Sequence, residues 1–236
     1  MKLYELAYAC PLYAAFTDFD KSINRFRDET RPALDLGKPA HRKALLVWLN
    51  SWGIMQLSRR HHPMASKVLL GWGRRYLDRL PHDGLGLAEL PDAALIAAAE
   101  AYGDLKRRYA SVRLTKSGPI DVTFGPTAAA KVLHALRPKA FPPWDDPIRK
   151  HFGYDGSHDS YRQFLSSVQK NVRRLEEEAA QLGINATEIP ALVRRENSSL
   201  AKLIDEYYWV TITKKCRPPT EEEMERWLRW ARRRKG

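Results

Sequence analysis

Apolar residues recur at helical spacing along nearly the whole chain, and one short stretch, "KAFPPWD" at 139–145, forbids a helix. Prolines and the residues before them resist the α region, so this stretch must run extended. The chain is therefore expected to be a set of packed helices interrupted by a stiff passage that ends on an acid. "HRKALLVWLNSWGIMQLSRRH" puts Leu45, Leu46, Leu49 and Ile54 near one helical face, and Pro63 starts the next helix, "PMASKVLLGWGRRYLDRL". "LPDAALIAAAEAYGDLKRRYASV" follows, with Asp92 as its cap and basic residues in its last turns. "TKSGPIDVTFGP" reads as a linker with turn chemistry and a short extended piece. "TAAAKVLHAL" is helix, ended by Pro138, and "DPIRKHF" is a short helix. "SYRQFLSSVQKNVRRLEEEAAQL" is long and amphipathic, stopped by Gly183, and "TEIPALVRRENSSLAKLIDEYYWVTI" supplies further helix. In the last helix, "TEEEMERWLRWARRRKG", Met224, Trp227, Leu228 and Ala231 fall at i, i+3, i+4 and i+7, so it is expected to dock by that face. Strand-like runs are too few for a sheet. The expected class is all-α, with about nine or ten helices.

Charge supplies the first functional clue. Lysine and arginine number 40 against 28 acidic residues, a net charge of +12. Such an excess favours a polyanionic partner, because phosphate contacts release counterions and steer association. Cys10 and Cys216 are the only cysteines, too few for a disulfide framework or for the four thiolates of an iron–sulfur cluster. A reducing, cytoplasmic setting is expected, nucleoid-associated in a prokaryote. No apolar run reaches membrane-spanning length, and Glu5 interrupts the apolar start, so neither a membrane span nor a secretory leader is expected. P-loop, HExxH, GxSxG and paired-cysteine zinc patterns are absent, and His61 and His62 are adjacent rather than one helical turn apart, so no metal site is expected.

One constellation carries chemistry. In "FGPTAAAK" a turn enters a helix whose first residues are very small. The free amides from Gly125 and Thr127 onward can hold an anion, while Pro126 has no N–H to donate. Asp145 falls at the N-cap of the next helix, with Asp146 and Pro147 in its first turn. Two readings stand: an ordinary helix start with a capping aspartate, or a reactive carboxylate beside an anion site.

The stretch "GPTAAAKVLHALRPKAFPPWDDPIRK" resembles the signature of the helix-hairpin-helix (HhH-GPD) DNA glycosylase superfamily, over residues 125–149. The resemblance implies two helical lobes with a DNA cleft between them. A central lobe, 41–137, would end in the helix-hairpin-helix; residues 1–40 plus 138–236 would form a second lobe carrying the aspartate. It implies that the protein flips a damaged or modified base out of double-stranded DNA and cuts its N-glycosidic bond, acting as a monomer without a redox cofactor. Asp145 matches the essential aspartate. Thr127 stands at or beside the position where bifunctional members carry a Schiff-base lysine, a departure from the lyase pattern, and Lys131, one turn on, is the substitute. The hairpin departs too: a single glycine is followed by Pro126, which weakens a phosphate grip that a monovalent cation aids in the family. Asn50 is the candidate contact to the estranged base. Trp48 and Trp52 are either pocket walls or core, Arg59 and Arg60 either phosphate contacts or a solvated helix end, and one of Tyr207, Tyr208 and Trp209 is expected at the cleft. The base excised stays open, as does repair versus defence against modified foreign DNA. The rival is a non-catalytic nucleic-acid-binding protein on the same scaffold.

Overall fold

The computed structural model describes residues 1–233. Eleven α-helices are found among them. The first six are α1 (Leu3–Phe16), α2 (Phe19–Glu29), α3 (Pro39–Ser51), α4 (His62–Tyr76), α5 (Asp92–Arg107) and α6 (Gly125–Leu136). The rest are α7 (Asp146–His151), α8 (His158–Gln181), α9 (Ile189–Leu192), α10 (Leu200–Tyr208) and α11 (Glu221–Arg233). Between α5 and α6 stand two antiparallel strands, β1 (Tyr109–Thr115) and β2 (Gly118–Thr123).

The chain is thus mostly helical, and the all-α expectation is corrected at one place. The helix read through to Val112 stops at Arg107, and the linker read after it is a β-hairpin. Ser111, Val112 and Arg113 lie opposite Val122, Asp121 and Ile120, so each pair holds one β-branched residue and the ladder satisfies the backbone as a further helical turn would. The link from α5 to α6 is therefore a β-ribbon in place of the short turn that a helix-hairpin-helix uses.

A second helix also ends early. α3 stops at Ser51, where Gly53 takes φ +83°, a left-handed value suited to glycine. Gly53 N–H donates to Asn50 O and Ile54 N–H to Leu49 O, a Schellman stop that buries Ile54 and leaves Trp52 at the helix end.

The extended passage before Asp145 is fixed by burial. Phe141, Pro142, Pro143 and Trp144 are all buried. The prolines lack an N–H, so burying them strands no donor. The Trp144 ring lies among Phe164 at 5.1 Å, Tyr161 at 5.3 Å and Tyr102 at 5.8 Å, where α5 packs on α8. One continuous cluster of buried side chains runs from Leu6 to Tyr208.

Two further expectations are corrected here. No residue of α11 is buried: Trp227 is 60% and Leu228 54% exposed, so the last helix does not dock by that face. It follows the Pro218–Pro219 link, and a capping box between Thr220 and Glu223 holds its start. The aromatic run, expected to offer a ring to a cleft, is spent on packing. Tyr207 donates to Glu5, Tyr208 accepts from Asn171, and Trp209 meets Tyr13 edge-on at 5.3 Å. Among the described residues no helix is long and apolar enough to cross a membrane.

Candidate active site

Asp145 occupies the N-cap position of α7, yet its side chain makes no capping bond. The carboxylate turns instead to α6, where Lys131 Nζ lies 3.0 Å from Oδ1. The contact is an ion pair without hydrogen-bond alignment, since Oδ1 is buried with no directed partner. Lys131 is almost fully buried, whereas the Asp145 side chain keeps 25% exposure. Lys131 Nζ donates to Trp52 O at 2.8 Å and sits 5.3 Å from the Trp52 ring centre. The Schellman stop of α3 thus aims a carbonyl at the ammonium and a ring beside it. α6 can come this close because Ala128, Ala129 and Ala130, all fully buried, begin it.

Arg149 holds α7 against the start of α6. Its guanidinium donates to Trp144 O at 2.7 Å and to Thr127 Oγ1 at 3.0 Å, and pairs with Asp146 at 3.1 Å. Thr127 therefore serves a brace between the two elements. Gly125 opens α6 at φ +70°, and Gln56 Nε2 donates to the neighbouring Phe124 O at 3.2 Å.

A second lysine–aspartate pair also lies near Trp52. Lys202 Nζ of α10 is 2.8 Å from Asp205, 3.4 Å from Glu206 and 5.9 Å from the Trp52 ring centre. Arg195 bridges Glu206, at 2.7 Å, to Asp20 of α2. Burial works against the Lys202 charge, but Asp205, Tyr13 and Glu206 outweigh it and hold its pKa well above the ordinary value. Burial pushes Asp205 up to about 6; Lys202 opposes this and the Asp145 charge adds to it. The two aspartates therefore feel one another. His134 is fully buried, stacked near Trp52 at 6.0 Å, and burial with the Lys202 charge pushes it down to about 3. Its Nδ1 lies 2.8 Å from Phe141 O; a carbonyl only accepts, so Nδ1 carries the proton and the ring is neutral.

A cleft of about 380 Å³ opens beside this group, lined by Trp52, His134 and Lys202 together with α2 and the 194–199 loop. Asp145 is not in its wall. Residues from both of the expected lobes line it.

Several expected site residues lie elsewhere. Asn50, expected at the estranged base, donates to Leu57 O at 2.9 Å and clamps the turn after α3. Trp48 is core: 2% exposed and stacked on Phe26 at 5.0 Å. Trp52, only 5% exposed, is both packed and part of the cleft wall. Arg59 and Arg60 are exposed on a 3-10 turn and make no hydrogen bond or ion pair through their side chains among the described residues. His61 is spent on the hairpin, its Nδ1 3.1 Å from Ser111 Oγ. The sequence reading missed Lys202, Asp205, Glu206 and Arg195. Three charges at i, i+3 and i+4 inside the apolar run "LAKLIDEYY" were the available signal.

Comparisons with protein-family models, with curated proteins and with solved structures gave no match for this chain.

Proposed function

We propose that the protein is a DNA glycosylase, with Asp145 as the carboxylate that meets the positive charge developing on the sugar. The observation that carries this reading is the Asp145 side chain itself. It sits at a helix start, forgoes the cap, and is held by Lys131 on the helix that opens at Gly125. An aspartate needed only for capping would bond the α7 amides. Oδ1 is buried against Lys131, and Oδ2, which has neither a hydrogen bond nor complete burial, meets solvent.

On this reading the C1′–N bond breaks with its electron pair leaving on the base. Asp145 stabilises the resulting oxocarbenium ion by charge, in a site where the low dielectric strengthens that interaction. Water then adds at C1′, and the proton it releases to solvent balances the one the departed base takes up, leaving an abasic site and the neutral free base. Lys131 orients Asp145 through the ion pair. For Lys131 to attack C1′ and begin lyase chemistry, the ammonium must first give up its proton, and Asp145 at 3.0 Å is the adjacent acceptor. The net charge of +12 and the exposed Arg59 and Arg60 suit a duplex partner. The β-ribbon departs from the family's hairpin, so the grip on DNA beside Gly125 belongs to this chain's own residues.

The test is incubation with duplex oligonucleotides carrying oxidised, deaminated, alkylated and phage-type modified bases, read as abasic sites. The expected result is excision of at least one base and its loss in Asp145→Asn. An inert wild type that still binds DNA, with affinity unchanged in Asp145→Asn, would instead establish the non-catalytic binding protein. Borohydride trapping addresses the lyase step separately: a covalent DNA adduct that disappears in Lys131→Met assigns the amine.

A further inference from the structure

We infer that the cleft between α2 and the 194–199 loop is a phosphate-ester seat, with Arg27 as its principal donor. The assignment rests on the nucleic-acid reading above for the source of the phosphate, and on the cleft's own residues for its chemistry.

α2 presents Asp20, Ile23, Asn24 and Arg27 to the cleft at i, i+3, i+4 and i+7, a single helical face. Arg27 is half-buried, and its guanidinium makes no hydrogen bond or ion pair among the described residues. Its nearest acidic influence is Asp20, and that carboxylate is already gripped by both terminal nitrogens of Arg195. Burial pushes the Arg27 guanidinium below its ordinary pKa, the mark of a cation taken partly out of water without a partner. A guanidinium carries five donors in a planar fork and no acceptor, so a bidentate oxyanion is the group it lacks.

The rim repeats the sign. Lys139 and Arg194 line the same cleft, both exposed and without side-chain hydrogen bonds or ion pairs among the described residues. Arg194 takes φ +58°, a left-handed value that side-chain-bearing residues rarely adopt. That value belongs to the Schellman stop of α9, in which Arg194 N–H donates to Ala191 O and Arg195 N–H to Pro190 O, and the stop leaves the Arg194 side chain at the rim. Glu196 is the one lining acid not held by Arg195 or Lys202, so three unpaired cations face one exposed carboxylate. Trp52, Ile23 and Pro138 supply an apolar wall beside them. Cations at the rim and an aromatic wall within suit a nucleotide: phosphate on Arg27, base or sugar against Trp52. The phosphate belongs either to the DNA backbone next to the everted nucleotide or to a free nucleotide.

The experiment measures affinity in wild type, Arg27→Ala and Arg27→Lys, using the full chain with Asp145→Asn added so that no chemistry occurs. One probe is duplex DNA with a stable abasic analogue, titrated across salt; the others are a nucleoside monophosphate, its nucleoside and inorganic phosphate. For backbone phosphate, Arg27→Ala is expected to weaken duplex binding about tenfold and lower the salt slope by about one, while Arg27→Lys keeps the slope and loses affinity. For a free nucleotide, the monophosphate binds more tightly than the nucleoside and only that difference is lost in Arg27→Ala. Either pattern supports the seat and names its source. If neither duplex nor monophosphate binding changes in Arg27→Ala, the inference is overturned, even where excision by the Asp145-intact protein stands. If no base is excised but the monophosphate difference appears, the glycosylase reading fails and the seat remains.

Discussion

Two lysine–aspartate pairs lie near the indole of Trp52, and they are built differently. Lys131 and Asp145 come from α6 and the start of α7, and each is the other's only charged contact within ion-pair distance among the described residues. One face of Asp145 stays open to solvent. Lys202 and Asp205 are neighbours on α10, both buried, and are knitted through Glu206 and Arg195 to Asp20. The first pair has an exposed carboxylate with one orienting partner, an arrangement that can meet a substrate. The second has every charge answered inside the protein, an arrangement that holds α10 to α2 and shapes the cleft. The same two residue types thus differ in solvent access and partner count, which suits the first pair to the reactive role proposed for it and the second to an architectural one.

The comparison breaks most severely at Glu206, which is fully buried between Arg195 and Lys202. Glu206→Ala leaves Arg195 with Asp20 alone and Lys202 with Asp205 alone, and a loss of about 3–5 kcal/mol is expected in chemical denaturation. Lys131→Met removes the partner of a carboxylate that retains some water, so about 3 kcal/mol, the low end of that range, is expected. Equal losses at the two positions would erase the distinction.

A pH series sharpens it further. Asp205 binds its proton more tightly in the folded state, with a pKa near 6 against an ordinary value of 3.8. Its contribution to stability is full below the ordinary value and fades as pH rises through about 6. Lys202 faces it as a cation throughout, and the carboxylates of Glu206 and Asp145 are the other nearby charges. Between about pH 4 and about pH 6.5 the stability of wild type relative to Asp205→Asn is expected to fall, read from denaturation midpoints. A rise over that window would mean that the ionised pair is a net stabiliser. The smallest effect is expected at Arg60, exposed on its turn: Arg60→Ala leaves stability unchanged and lowers the salt slope of duplex binding by about one.

The sequence disclosed the first pair better than the second, for a physical reason. Pro147 and the "FPPW" run mark a helix start at Asp145, and Lys131 shares a helix with the small residues after Gly125. Both signals are local. That the side chain would forgo its cap was not legible, because nothing local shows which way Lys131 points. The α10 charges look like a solvated stripe until Arg195 and Asp20 arrive from a loop and a helix distant in sequence. The β-hairpin was hidden because Tyr109 and Val112 continue the helical spacing of α5 as well as they fit a strand. The exposed apolar face of α11 violates the ordinary expectation that such a face is buried, and only tertiary placement reveals it.

The most direct measurement compares Asp145→Asn with Asp205→Asn on one excised base, as single-turnover rates with duplex affinity measured in parallel. Asp145→Asn is expected to lose about 100-fold or more in rate with affinity retained, the scale of a lost electrostatic contact in a transition state. Asp205→Asn keeps its rate within a few-fold, about 1 kcal/mol of barrier at most, while shifting the pH dependence of stability. An Asp145→Asn enzyme as fast as wild type, or an Asp205→Asn enzyme as slow as Asp145→Asn at unchanged stability, would contradict that division of roles.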